Sequence, residues 1–180
     1  MQYPLERSWT IWCSQYFTQK KGDLAVLSEN RQIGEIENIA TMWQYMNNIP
    51  QPLRFADGNI LIFQSQTVPT WEHNKGGGRW MYSYELKPNE VINELWESLF
   101  LAVLGEQFEN CESIVGIIMG RRKKYTRYSI WTQNANDVET NLKIGVDFTK
   151  IIKYHISGEI KLEYQEHGAD YTNIKHVIKL

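Results

Sequence analysis

Cysteine is nearly absent from this sequence, and proline is scarce. Only Cys13 and Cys111 occur, with five prolines in 180 residues. Neither cysteine has a second Cys or a His at metal-ligand spacing, which excludes a disulfide framework and a zinc knuckle and leaves two buried, reduced thiols as the expectation. No apolar run approaches the roughly 20 residues of a membrane span. The N-terminal MQYPLERSW lacks the basic-then-apolar design of a secretory signal. A soluble cytoplasmic protein is expected, with the nucleus as a second location and no membrane partner. Neither charge sign dominates. Nineteen Lys and Arg face 21 Asp and Glu, for a net charge of -2. A global basic field of the kind that marks many nucleic-acid binders is therefore excluded, and any anion recognition must be local. No repeat, low-complexity tract or linker divides the chain. Its length suits one core, so residues 1–180 are read as a single domain.

Catalytic patterns are missing too. His73, His155, His167 and His176 form no H-E-x-x-H or similar ligand spacing, and no nucleophile elbow or paired-Asp motif occurs. Each histidine is read as a surface or structural residue. A non-enzyme without metal or cofactor is expected.

Aromatic residues, by contrast, are plentiful, with seven Trp and ten Tyr. Some belong in a core, but flat rings are also what base-stacking proteins use. Ser8–Cys13 reads as a strand, and residues 14–32, polar and glycine-containing, as a long loop or irregular edge. Ile36, Ile39, Met42, Trp43 and Met46 recur at helical spacing and predict a short helix ending before Pro50. Asn59–Gln64 and Arg79–Leu86 are read as a strand pair forming a hairpin. Val91, Ile92, Leu95, Trp96, Leu99, Val103 and Leu104 predict the clearest helix, with Pro88 in its first turn and Gly105 at its stop. Ser113–Met119 and Tyr128–Thr132 are strands around a basic turn. A third helix starts at Asn136 or Asp137 and carries Val138, Leu142, Gly145 or Val146, and Ile152. Gly158–Tyr164 alternates as a strand, and Ile174–Leu180 closes the sheet. The class is α+β: a mainly antiparallel sheet with three helices on one face.

Three stretches carry chemistry. Trp71-Glu72 sets an electron-rich ring, which attracts a cation lying over it, beside a carboxylate that can accept two parallel hydrogen bonds. Guanine offers such a donor pair on its Watson–Crick edge, and methylation at N7 makes its ring a cation. The plainer alternative is a core-covering Trp71 and a solvated Glu72. KGGGR at 75–79 is not a G-x-G-x-x-G or P-loop pattern; it either approaches a phosphate or forms a hairpin turn, with Arg79 free to reach a phosphate or brace Glu72. Arg121, Arg122, Lys123, Lys124 and Arg127 place five cations in seven residues with no acid. They repel one another unless an anion comes, so a phosphate chain is the natural partner; a solvated basic hairpin or a nuclear-targeting patch are the alternatives.

Together these blocks resemble the eukaryotic translation initiation factor 4E family, which binds the 7-methylguanosine cap of messenger RNA. YPLERSWTIW (3–12), TMWQYMNNI (41–49), VPTWEHNKGGGRW (68–80), LWESLFLAVLGEQF (95–108) and GIIMGRRKKYTRYSIWT (116–132) follow the family's order, and EYQEHGAD (163–170) is a looser match. The resemblance implies a curved antiparallel sheet of about eight strands with three helices on its convex back. It implies that Trp71 stacks on the base, Glu72 holds its Watson–Crick edge and Trp131 meets the N7-methyl side. Arg122, Lys124 and Arg127 would hold phosphates, with Arg79 in support. The family sandwiches the base between two tryptophans, yet residues 13–42 contain none. Alignment puts Val26 or Gly22 near the missing ring's place, and Tyr16 or Phe17 are the rings at hand. On the back, Pro4, Leu5, Ile39, Trp43, Leu101, Gly105 and Glu106 fall where the family binds an amphipathic helix of a scaffold (initiation factor 4G-like) or repressor protein. Ser98 replaces a usual glutamate. The implied function is recruitment of capped messenger RNA to the initiation machinery by a monomer. The alternative is a divergent repressor or partner-binding member with weak or altered cap specificity.

Overall fold

The computed structural model describes residues 3–17, 26–27, 29–55, 57–85, 89–170 and 172–180, with positions 17, 26 and 27 described by backbone alone. The strands are β1 (Pro4–Phe17), β2 (Val26–Leu27), β3 (Arg31–Asn38), β4 (Gly58–Gln64), β5 (Gly78–Tyr84), β6 (Ile114–Arg121), β7 (Thr126–Thr132), β8 (Lys161–Glu166) and β9 (His176–Lys179). The helices are α1 (Ile39–Asn48), α2 (Val91–Leu104) and α3 (Val138–His155). All strand pairs are antiparallel and form one open, curved sheet. Its order is β1, β4, β6, β7, β5, β8, β9, with β2 and β3 sharing the outer edge of β1. One face of the sheet (Trp9, Ile11, Ile60, Ile62, Trp80, Tyr82, Ile117, Ile130, Leu162) packs with residues of all three helices in a single apolar core. The opposite face is left for other work.

Four expectations need correction. The segment after Cys13 is not a loop throughout: β1 runs on to Phe17 and β3 begins at Arg31. Ile36 belongs to β3, not to the helix, and is fully buried. Asn38 fixes the helix start. Its side chain accepts from Thr41 N at 2.9 Å while Thr41 Oγ1 accepts from Asn38 N at 3.2 Å, a reciprocal cap that begins α1 at Ile39. β4 and β5 do not form a hairpin, because the true hairpin, β6–β7, lies between them. The 65–77 connection therefore crosses the sheet end over two strands.

The fourth correction concerns α3. It starts at Val138 with Asp137 as N-cap, but Val138, Leu142 and Val146 face outward. Its buried face is Asn141, Ile144, Gly145, Phe148, Thr149 and Ile152. Trp80 sets that phase: its Nε1–H donates to Asn141 O at 2.7 Å, and a Cβ on Gly145 would stand 2.6 Å from its ring. Both thiols are free and only half-buried. No helix among the described residues is long and apolar enough to cross a membrane. Leu86 and Pro88 lie outside the described residues.

Candidate functional site

Strand alternation sends every second side chain to the open, concave face. Pairing register then aligns these side chains in rows across the sheet. One row is Phe63, Gly116, Trp131, Arg79 and Gln165. The next is Leu61, Ile118, Ser129, Met81 and Glu163. A third is Asn59, Gly120, Arg127 and Ser83. Trp131 and Arg127 thus point from one strand into one groove, about 13 Å apart at 3.3 Å per residue.

Trp131 is held from several sides and is only 5% exposed. The Phe63 ring meets it edge-on, with centroids 5.2 Å apart at 78°. Phe63 can lie there because Gly116 has no side chain; a Cβ would come within 2.6–2.7 Å of three ring atoms. His167 packs on the same indole, centroids 4.0 Å apart at 43°. The chain turns after β8, where His167 N donates to Gly77 O at 3.0 Å and Gln165 Nε2 to Asp170 O at 2.9 Å. Burial, and then the Arg79 charge, push the His167 imidazole down to about 4 against the weaker pull of Glu166, so it is uncharged at neutral pH. Its Nε2 and Trp131 Nε1 are both buried and lack a hydrogen-bond partner among the described residues. His167 is therefore no detached surface histidine. Only the loosely matching EYQEHGAD stretch hinted at its place.

Trp71 and Glu72 sit on the crossing 65–77 connection. Asn74 Nδ2 ties that loop to Val68 O and Thr70 O at 2.8 and 2.7 Å, Asn30 Nδ2 donates to Pro69 O at 3.1 Å, and Ala135 N donates to Gly76 O at 2.7 Å. So anchored, it leaves Trp71 49% exposed, with its ring 3.5 Å from where a Cβ on Gly168 would stand. Glu72 is exposed and forms no ion pair among the described residues. Arg79 donates to Gln165 Oε1 at 2.9 Å.

The basic hairpin closes the other end of the groove. Arg122 donates to Gly58 O and Arg121 O, both at 2.8 Å, and to Asn59 Oδ1 at 2.9 Å. Its guanidinium lies over the Tyr16 ring at 4.7 Å. Arg127 donates to Ser83 Oγ at 3.1 Å and lies over Tyr125. Lys123 and Lys124 are exposed. None of the five cations forms an ion pair with a carboxylate among the described residues. Tyr16 thus sits at the basic end, against Arg122. The Phe17 side chain, Gly22 and the Val26 side chain lie outside the described residues. No metal-binding group of His, Cys, Asp or Glu occurs among the described residues.

The helical face carries a second constellation. Ile39 and Trp43 on α1 are each 42% exposed. Ile39 N donates to Tyr3 O at 2.9 Å, which sets Pro4 and Leu5 beside the start of α1. Arg7 and Glu106 pair at 2.6 Å and tie β1 to the end of α2, where Leu101 is half-buried and Gly105 exposed. Ser98 Oγ shares a 2.8 Å hydrogen bond with His155 Nε2.

The chain is 31% identical to eukaryotic translation initiation factor 4E-1 of Caenorhabditis elegans over 189 aligned residues, covering 98% of this chain and 86% of that one. It is 29% identical to factor 4E-1 of lettuce (Lactuca sativa), of whose length it spans 65%. Among solved structures, Ascaris suum eIF4E-3 in complex with an m2,2,7G cap superposes with a TM-score of 0.85 at 24% identity, covering 99% of both chains. C. elegans eIF4E-3 in complex with the 4E-binding protein Mextli and a cap analog gives 0.83 at 22%, covering 99% of this chain and 100% of that one. The family is one of initiation factors, not of enzymes, and its model, eukaryotic initiation factor 4E, matches residues 4–177, so the chain belongs to the eukaryotic initiation factor 4E family.

Proposed function

We propose that the concave groove binds the 7-methylguanosine cap of messenger RNA and that the helical face binds an amphipathic helix of a scaffold or repressor protein, which together bring messages to the initiation machinery. The observation that carries the first part is the alignment of Trp131 and Arg127 along β7, between the Trp71–Glu72 loop and the Arg122–Lys124 hairpin. A purine stacked at the tryptophan end has its phosphate chain laid toward the cations. Trp71 supplies the stacking face and Glu72 accepts from the Watson–Crick edge. Trp131 lines the methyl side. Arg122, Lys124 and Arg127 hold phosphates, and Arg79, through Gln165, braces the wall. A base that is itself a cation gains most from an indole face beside a carboxylate. Relatives of the same fold solved with cap analogs and with 4E-binding proteins support both parts.

A second reading is altered or weak cap preference. It is favoured by the position of Tyr16, one of two rings at hand to replace the missing tryptophan, against Arg122 rather than in the stack. One cation–π face fewer costs about 0.5–2 kcal/mol. Tryptophan-fluorescence titration with 7-methyl-GTP and with GTP decides between them. Much tighter binding of the methylated nucleotide is expected; equal or absent binding overturns the first reading and leaves the partner-binding role.

A further inference from the structure

The sheet ends at β9, which pairs with β8 alone among the described residues. Just past β9, Ile160 and Leu180 exchange both backbone hydrogen bonds, at 2.9 and 3.1 Å. Antiparallel alternation then turns the backbone of Ile178 toward Leu162 and the N–H and C=O groups of Val177 and Lys179 away from β8. Among the described residues, no group bonds to those outward donors and acceptors. β9 thus offers an unused strand edge.

The side chains beside that edge are apolar where water would favour charge. α3 runs behind β9: Lys175 Nζ donates to Asn136 Oδ1 at 3.2 Å, and Ile178 Cδ1 lies 2.8 Å from where a Cβ on Gly145 would stand. Val138, Leu142 and Val146 recur every fourth residue on α3, and Lys153 follows seven further on. At about 100° per residue, this stripe adjoins the side on which Gly145 meets β9, and His155, bonded to Ser98 of α2, lies on the other flank. Leu180 shares the helical face with Ile178 by alternation. Val138, Leu142, Val146, Val177 and Leu180 are each 38–54% exposed. Charge says what could cover them. Lys161 and Lys175 are paired with Glu163 and Glu166, whereas Lys153 and Lys179 form no ion pair among the described residues. A second copy joined edge to edge by a two-fold axis would bring the same two lysines to the seam from both sides. An acidic strand would neutralise them.

We propose that β9 is a docking edge for an extended, acidic segment of a partner protein, which joins the sheet as a further antiparallel strand. Its main chain bonds to Val177 and Lys179. Its alternate apolar side chains rest on Leu142, Val146 and Leu180, and the acidic ones between them lie beside Lys179, with Lys153 at the rim. The surface stands at the sheet edge opposite β3 and α1 and does not depend on what the groove binds.

The test is titration of the 15N-labelled full chain at low salt with acetyl-Val-Glu-Val-Glu-Val-Glu-amide, read by NMR. Saturable shifts centred on the Val177 and Lys179 amides, with slowed hydrogen exchange at both, are expected. The same peptide with lysine for glutamate is expected to bind about fivefold or more weakly. Val177→Pro removes a donor that β8 does not use, so it is expected to keep the fold and the nucleotide titrations and to abolish peptide binding. Absence of saturable shifts, equal affinity for the two peptides, or unchanged binding by a folded Val177→Pro variant each overturns the proposal. Should that variant fail to fold, the peptide N-methylated at every glutamate or at every valine carries the same question. One form is expected to bind and the other not, and equal binding of both overturns strand addition. Sedimentation of the peptide-free chain is expected to show a monomer. A dimer dissolved by Val177→Pro would give the edge to a second copy and overturn the acidic partner.

Discussion

Trp71 and Trp131 serve the same groove from opposite conditions. Trp131 is clamped by Phe63 and His167, whereas Trp71 stands half-exposed on its loop. The buried ring is part of the floor, so on the proposed reading its removal is expected to cost stability as well as binding. On the proposed reading the exposed ring and its neighbour Glu72 contribute to binding alone. Glu72→Ala is expected to leave the melting temperature unchanged and to weaken 7-methyl-GTP by about 2 kcal/mol, some thirtyfold, the scale of hydrogen bonds to a charged acceptor. A calorimetric titration beside a thermal melt checks both halves. His167 gives a stability signature as well. Its folded-state pKa, about 4, lies below the ordinary histidine value, so between those values the unfolded chain binds more protons. Its contribution is whole above about pH 6.5 and is lost as the pH falls toward 4. Melting temperatures followed over that window are expected to fall more steeply for wild type than for His167→Gln.

The elements show which parts of the fold the sequence carried and which it hid. α2 was legible because an unbroken apolar stripe ends at Gly105. β3 was hidden because, apart from Ile36, its side chains are exposed or half-exposed, leaving no alternation to read, and Ile36 then falls into apparent helical spacing with Ile39. The phase of α3 was hidden for the converse reason. Its buried face includes Asn141 and Thr149, satisfied by Asn134 O and Gly145 O at 2.8 Å each, while three valine and leucine residues face out. Within the site, the W-E pair and the basic hairpin are contiguous and announce themselves. The Phe63–Gly116–Trp131 stack is assembled by register from three strands, and no local pattern reveals it. That stack yields an element-level prediction. Gly116→Ala drives a methyl into the Phe63 ring, which leans on Trp131. A loss of about 1–3 kcal/mol in denaturant unfolding is expected, together with weaker nucleotide binding, although position 116 would touch no ligand.

At the scale of the whole molecule, one sheet keeps the two proposed recognition surfaces apart, and the core lies between them. Trp43 stands on α1, across the sheet from the groove, and is exposed enough to be removed without opening a cavity. Trp43→Ala is therefore expected to abolish binding of an amphipathic helix peptide while leaving nucleotide titrations unchanged. Unfolding of the variant would instead assign Trp43 to the core. The electrostatics are equally local. With a net charge of -2 the chain as a whole does not attract nucleic acid, so the salt dependence of binding must come from the cations in the groove. Arg122 and Lys124 differ in how they are held. Arg122 is fixed by Gly58 O, Asn59 Oδ1 and Tyr16, and Lys124 is exposed. Removing both as Arg122→Ala and Lys124→Ala is expected to flatten the plot of log affinity against log salt by about 1.4, from two phosphate contacts at about 0.7 each on a single strand. Arg122→Ala alone also takes away the brace between β4 and the hairpin, so its melting temperature should fall while that of Lys124→Ala does not. Capped oligonucleotide titrations from low to high salt check the slope. A slope unchanged in the double variant would move the phosphate path to Arg127 and away from the hairpin tip.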